Sequence, residues 1–289
     1  MSEDNLIGHD LHLNKFLGLY EINKLPSKIL LSGKKGIGKS ILIKNFLFKV
    51  LESENSKLLV ENESHTNTLF IKKKIDKKNI EIDQVREIIK FTNQSSFNNK
   101  SRFIIIDDVE YLNVNSSNAL LKSLEEPNEN VYFFLIFNSE MNILDTIKSR
   151  CLEFKIDLKL KYTNKIVDSY FDEKVYNIIN NSLVDYYSTP KFLISLVAYL
   201  RENDLPISDT CINQLLKYII VNKHYNKVTF VKEYLSYIIE LFFYNHINKT
   251  KKISHNVKKY YFSKLTNIRK FNLDYESFFL EFEDKLLSE

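Results

Sequence analysis

Glycine occurs five times, proline four times and cysteine twice in 289 residues. With 44% apolar and 27% charged residues, the composition excludes both intrinsic disorder and a collagen-like fibre. Cys151 and Cys211 are too far apart for a CxxC pair, and the six histidines show neither HxxxH nor HExxH spacing, so no zinc site is readable. Two separated thiols with no secretion signal are expected to stay reduced. The stretch from Met1 to Asn5 is polar and acidic, with no apolar segment leading to a cleavage site. The longest apolar runs, such as Ile238 to Tyr244, are too short to cross a bilayer. A cytoplasmic protein with no membrane partner is therefore expected. The net charge of +4 is small for this length and leaves no strong electrostatic footprint for nucleic acid. Lysines alternate with acidic residues, and Lys72 to Lys78 reads as solvated loop.

What is present is a change of pattern along the chain. From Lys28 to about Ile156, short apolar runs alternate with helical periodicity, as βα units of a parallel sheet do. Five strands are predicted at Ile29 to Leu31, Leu69 to Ile71, Phe103 to Ile106, Val131 to Phe137 and Leu152 to Ile156. The third and fourth are continuously apolar, which fits strands covered on both faces, whereas the last alternates as an edge strand can. Beyond Ile156 the strand signals stop and helical spacing dominates. Val231, Leu235, Ile238, Ile239, Phe242 and Phe243 fall at three- and four-residue steps on one stripe. Pro206, in the polar stretch Arg201 to Asp209, marks a linker between two helical parts.

Three of the five glycines are Gly33, Gly36 and Gly38, in G-K-K-G-I-G-K-S between an apolar run and a helical pattern. This is the strand, loop and helix context of a phosphate-binding loop. Glycines let backbone N–H groups turn towards phosphate oxygens, and the helix N-terminus adds partial positive charge. Gly33, Gly36, Ile37, Gly38, Lys39 and Ser40 are thus candidate ATP-binding residues, with Lys39 reaching the β and γ phosphates and Ser40 ligating Mg²⁺. Such a site needs a carboxylate at the end of a neighbouring strand, and F-I-I-I-D-D supplies Asp107 as the Mg²⁺-side group. Asp108 takes the next position, that of a base or water-orienting group.

After Ile106 the chain continues D-D-V-E-Y-L-N-V-N-S-S-N-A-L-L-K-S-L-E-E-P, and Thr146 to Cys151 reads T-I-K-S-R-C. Asn118 to Pro127 is similar to a segment shared by the delta-prime and gamma/tau subunits of the bacterial DNA polymerase III clamp loader, and Ser149-Arg150-Cys151 resembles their Ser-Arg-Cys motif. With the P-loop these match in order and spacing over about the first half of the chain. The resemblance implies an α/β AAA+ P-loop core with a parallel sheet at 1–158, a small helical lid at 159–204 and an all-α collar or oligomerisation domain at 205–289. It makes Arg150 a finger acting in trans on the ATP of an adjacent subunit, a role suited to the planar guanidinium. It places Asn138, after the fourth strand, at a polar sensor position, where the residue could equally cap a turn. Lys191 in S-T-P-K-F-L-I lies where the lid of the gamma/tau type carries a second sensor arginine, and Leu6 to His9 resembles the segment lining the adenine pocket.

No cysteine lies between the P-loop and Asp107, where gamma/tau and many delta-prime subunits carry a four-cysteine zinc module, Asp108 is one methylene shorter than the glutamate of the gamma/tau Asp-Glu pair, and gamma/tau chains are usually longer. These departures favour the delta-prime type. That type implies a hetero-pentamer with gamma/tau and delta subunits, meeting the sliding clamp and primed DNA through the complex. Its Tyr234 to Tyr244 stripe would serve packing first and subunit contact second. Two roles remain: an assembly subunit that binds ATP with little or no turnover, and a gamma/tau-type ATPase motor. A third, another AAA+ protein acting on DNA or proteins, leaves the Asn118 to Pro127 run unexplained.

Overall fold

The computed structural model describes residues 6–51, 55–74, 77–93, 101–125, 130–185, 187–249, 253–271 and 273–287. Glu126 and Pro127 of the shared segment lie outside them, as do Ile75 and Asp76 of the lysine-rich stretch. The chain divides into two compact units, Met1–Tyr162 and Thr163–Glu289.

In the first unit, helix α1 (Asp10–Glu21) precedes strand β1 (Lys28–Gly33), helices α2 (Lys39–Val50) and α3 (Ser56–Glu61), and strand β2 (Thr68–Ile71). Helix α4 (Ile82–Asn93), strand β3 (Arg102–Ile106), helix α5 (Val114–Glu125) and strand β4 (Val131–Asn138) follow. A short helix α6 (Asp145–Lys148) then leads to strand β5 (Leu152–Lys155). All strand pairs are parallel, in the order β2-β3-β4-β1-β5. The predicted strands are all there, and the alternating one, β5, is an edge.

Side chains alternate across each strand, so a run that is apolar throughout must bury both faces. On one face Ile29, Leu31, Phe103, Ile105, Phe134 and Ile136 pack with Phe16 of α1 and Phe46 of α2. On the other, Leu30, Ile104, Ile106, Phe133 and Leu135 pack with Val85 and Ile88 of α4 and Leu120 and Leu124 of α5. Aromatic rings dominate the first face: Phe46 meets Phe103 edge-on at 5.9 Å, and Phe103 stacks on Tyr132 at 5.5 Å between ring centres. Helix α5 is fixed by more than apolar contact, since the buried Ser116 hydroxyl donates to the Ile80 carbonyl at 2.9 Å.

The second unit is helical among the described residues. It carries α8 (Pro190–Glu202), α9 (Ile212–Val221), α10 (His224–Lys227), α11 (Thr229–Tyr244), α12 (His255–Phe271) and α13 (Glu276–Phe282), and most of α7 (Leu160–Phe171). Pro190 occupies the first turn of α8, and the Thr189 side chain accepts from the Phe192 N–H, an N-cap that fixes where the helix starts. One apolar cluster runs through this unit from Val167 to Leu287. The predicted stripe Val231, Leu235, Ile238, Ile239, Phe242 and Phe243 is wholly inside it. Pro206 sits in a turn whose neighbours Leu205 and Ile207 pack against the same cluster, and its carbonyl accepts from Thr210 N–H at 3.0 Å.

Candidate nucleotide site and arginine

The carboxyl ends of β1, β3 and β4 bring the site residues together. Gly33 pairs in register with Asn138, and Ile106, one residue before Asp107, with Leu135. Ligands of open α/β sheets bind at this end of the strands. Gly33 closes β1 where a side chain has no room: an added Cβ would lie 2.3 Å from the Ile156 carbonyl oxygen. Gly36 and Gly38 have φ of +84° and +96°, a left-handed backbone that favours glycine. Gly38 then caps α2, so Lys39 and Ser40 open the helix.

Lys39 is buried, and its Nζ donates to the carbonyls of Gly33 at 2.8 Å and Lys34 at 2.7 Å. Burial pulls its ammonium down to about 8, against the pull of Asp107, Glu110, Asp108 and Glu140. The Asp107 carboxyl is pushed above its usual range, first by burial and then by the charge of Asp108, while the Asp108 N–H, donating to Asp107 Oδ1 at 3.0 Å, opposes the shift. Asp108 has a φ of 60°, a left-handed turn that ends the strand and starts the short helical turn Val109–Tyr111.

Glu110, which the sequence reading did not name, and His9, the last residue of the Leu6 to His9 segment, join this site. Glu110 is pushed up mainly by burial, and its Oε2 accepts from the Asn138 N–H at 3.2 Å, tying the turn after β3 to the end of β4. His9 is buried, and its Nε2 lies 2.6 Å from the Ile37 carbonyl oxygen. A carbonyl only accepts, so Nε2 carries the proton; burial lowers the affinity for a second one, and Nδ1 has no partner among the described residues. The sequence offered for Glu110 only its closeness to Asp107 and Asp108, and nothing in it links His9 to Ile37.

Asn138 uses its side chain locally, with Oδ1 accepting from the Glu140 N–H at 3.2 Å, the turn-capping geometry. Lys191 lies in the second unit, where its Nζ donates to Glu233 at 3.1 Å. Arg150 follows α6 on the surface of the first unit and bonds to Glu125 and to the Thr146 carbonyl. Beside it Cys151 is half-buried, and burial pushes its thiol up to about 11, which leaves it protonated and unreactive at neutral pH.

The residues present fit a nucleoside polyphosphate: a glycine-shaped loop, a helix N-terminus, a lysine and a carboxylate at the neighbouring strand end. Among the described residues no three His, Cys, Asp or Glu side chains cluster to hold a metal ion by themselves. Mg²⁺ beside a nucleotide is ordinarily held by one or two protein groups together with phosphate oxygens and water, so it would not need such a cluster.

A P-loop ahead of α2, an acidic end on β3 and the order β2-β3-β4-β1-β5 define the first unit as a P-loop core of the AAA+ type. Residues 8–159 match the family described as DNA polymerase III, delta subunit, and the chain belongs to that family. It is 33% identical over 135 residues to DNA polymerase III subunit delta' of Pseudomonas aeruginosa, covering 43% of this chain and 41% of that one. It is 28% identical over 221 residues to DNA polymerase III subunit gamma of Buchnera aphidicola subsp. Schizaphis graminum, covering 71% of this chain and 61% of that one. The chain thus spans less than two thirds of the length of these relatives. Among solved structures, a DNA polymerase III gamma subunit-related protein of Thermotoga maritima aligns over 79% of this chain and 90% of that one, at 17% identity and a TM-score of 0.42. No helix among the described residues is long and apolar enough to cross a membrane.

Proposed function

We propose that the chain is a delta-prime-type subunit of the DNA polymerase III clamp loader, which binds MgATP at its P-loop and supplies Arg150 to the ATP site of an adjacent subunit. The observation that carries this reading is the family match over residues 8–159, which contains both the P-loop and the Ser149-Arg150-Cys151 segment. Lys39 exchanges its two carbonyl partners for phosphate oxygens, Gly36 and Gly38 shape the backbone around them, and Ser40 and Asp107 hold Mg²⁺, which neutralises charge on the phosphates. Asp108 and Asn138 stand at the water-orienting and sensor positions. Asp108 is a short carboxylate on a left-handed backbone and Asn138 is engaged with Glu140, which supports little turnover at this site. Residues 159–204 serve as lid, with Lys191 at the second sensor position, and 205–289 as collar, joining gamma/tau and delta subunits in a cytoplasmic hetero-pentamer. Through that complex the chain supports ATP-dependent loading of the sliding clamp onto primed DNA.

The gamma relative that spans 71% of the chain favours a second reading, an ATPase motor of gamma/tau type. Turnover separates the two. On the proposed reading the isolated chain hydrolyses ATP slowly and Lys39→Ala changes little, while Arg150→Ala leaves assembly with gamma and delta subunits intact and lowers the ATPase of the complex by about 10³-fold. Rapid, Lys39-dependent hydrolysis by the isolated chain would establish the motor instead. An unchanged ATPase in the Arg150→Ala complex would remove the finger.

A further inference from the structure

An arginine that acts on another subunit's phosphate must be presented in one orientation, and a long side chain on a surface ordinarily samples many. Arg150 is restrained on two sides. Its Nε and Nη2 both donate to Glu125 Oε1, at 3.1 and 2.7 Å, and its Nη1 donates to the Thr146 carbonyl oxygen at 3.0 Å. Both anchors are themselves fixed. Thr146 belongs to α6 and also accepts from the Ser149 hydroxyl at 3.2 Å. Glu125 is the last residue of α5, one position after Leu124, which is fully buried.

A guanidinium has five N–H donors. Three are used here, along the edge bearing Nε and at one position on Nη1, so one N–H of Nη1 and one of Nη2 remain for an incoming acceptor. The ion pair is a poor stability device, because both side chains are substantially exposed, 35% for Arg150 and 51% for Glu125, where such pairs contribute little. What the arrangement does provide is a fixed guanidinium plane, and positioning is what a displaced catalytic group loses first.

We infer that Glu125 is a positioning residue for Arg150, holding the finger by its Nε edge so that the remaining N–H groups face a neighbouring subunit's nucleotide. This rests on the proposed role of Arg150 in trans. Glu125 touches neither nucleotide nor reacting atoms; it acts through the arginine, by removing rotamer freedom before the subunits meet.

The test is the steady-state ATPase of the complex reconstituted with gamma-type and delta-type subunits, sliding clamp and primed DNA, with this chain as wild type, Glu125→Ala, Glu125→Gln, Arg150→Ala and the Glu125→Ala/Arg150→Ala double variant. Size-exclusion chromatography and thermal melting check that each variant assembles and folds. Glu125→Ala should lower kcat by about tenfold with KM for ATP unchanged, as expected of a misplaced group. Glu125→Gln, which keeps an acceptor oxygen at Oε1, should recover most of the rate, and the double variant should be no slower than Arg150→Ala alone. If Arg150→Ala is slow but Glu125→Ala runs at the wild-type rate or faster, the positioning role is overturned while the finger stands. An equal loss in Glu125→Gln and Glu125→Ala also overturns it, since an acceptor would then not suffice. If neither variant slows the complex, the reading of Arg150 falls first.

Discussion

The Lys39 ammonium is desolvated in the P-loop core, and a polyphosphate would reverse that cost. With its proton affinity pulled down to about 8, the lysine begins to lose its charge just above physiological pH. Phosphate oxygens favour the charged form, so binding above pH 8 must be accompanied by proton uptake. MgATP affinity is therefore expected to be level below about pH 8 and to fall by up to about tenfold per unit above it, measured by titration calorimetry across that range. Lys39→Ala should bind weakly at every pH with no break near 8. The sign for stability is opposite. Between about 8 and the ordinary lysine value of 10.5 the unfolded chain holds more protons than the folded one, so this group's unfavourable contribution is full below 8 and fades as pH rises towards 10.5. The loop from Gly33 to Ser40 was readable from spacing because it is local in sequence, and the place of Asp107 because it follows a continuously apolar strand. Glu110 and the contact of His9 with Ile37 were not, because the Asn138 N–H and the Ile37 carbonyl meet these side chains only after folding, across 28 residues in each case.

At the scale of elements, the carboxyl end of β1 is the tightest point of the site. Gly33→Ala would drive a methyl group to 2.3 Å from the Ile156 carbonyl and 2.9 Å from Ile37 Cδ1, and a backbone oxygen cannot step aside as a flexible side chain can. The β1 to β5 pairing must open, and overpacking of this kind costs about 1–3 kcal/mol. A lower midpoint in urea with an unchanged slope is the expected outcome. The strands themselves were readable because β3 and β4 bury nearly every side chain on both faces, while β5 sits at the sheet edge with its side chains partly or fully exposed. The contact of Arg150 with Glu125 was not readable, since α5 and α6 come together only through the packing of Leu120, Leu124 and Ile147 on one face of the sheet.

For the whole molecule, the separation of cores matters most. The two clusters on the sheet draw on residues from Leu13 to Ile156, and the helical cluster on residues from Val167 to Leu287. A fragment of residues 163–289 is therefore expected to unfold cooperatively by circular dichroism; a broad, non-cooperative melt would show that it borrows its core from the first unit. Helical periodicity announced the second unit but not its internal plan, because Pro206 looks like a linker in sequence while Leu205 and Ile207 on either side are packed into the shared cluster.

Helix α5 joins the acidic turn of this chain's own P-loop site to the carboxylate that grips Arg150. Twelve residues of α-helix make a rod of about 18 Å, and Ser116, Ser117, Leu120 and Leu124 anchor it along its buried side. A helix anchored along its length in this way tends to move as one piece. The spacing between the nucleotide this subunit would hold and the arginine it would lend is thereby a built-in dimension of the chain, as a tooth is set at a fixed pitch on a gear.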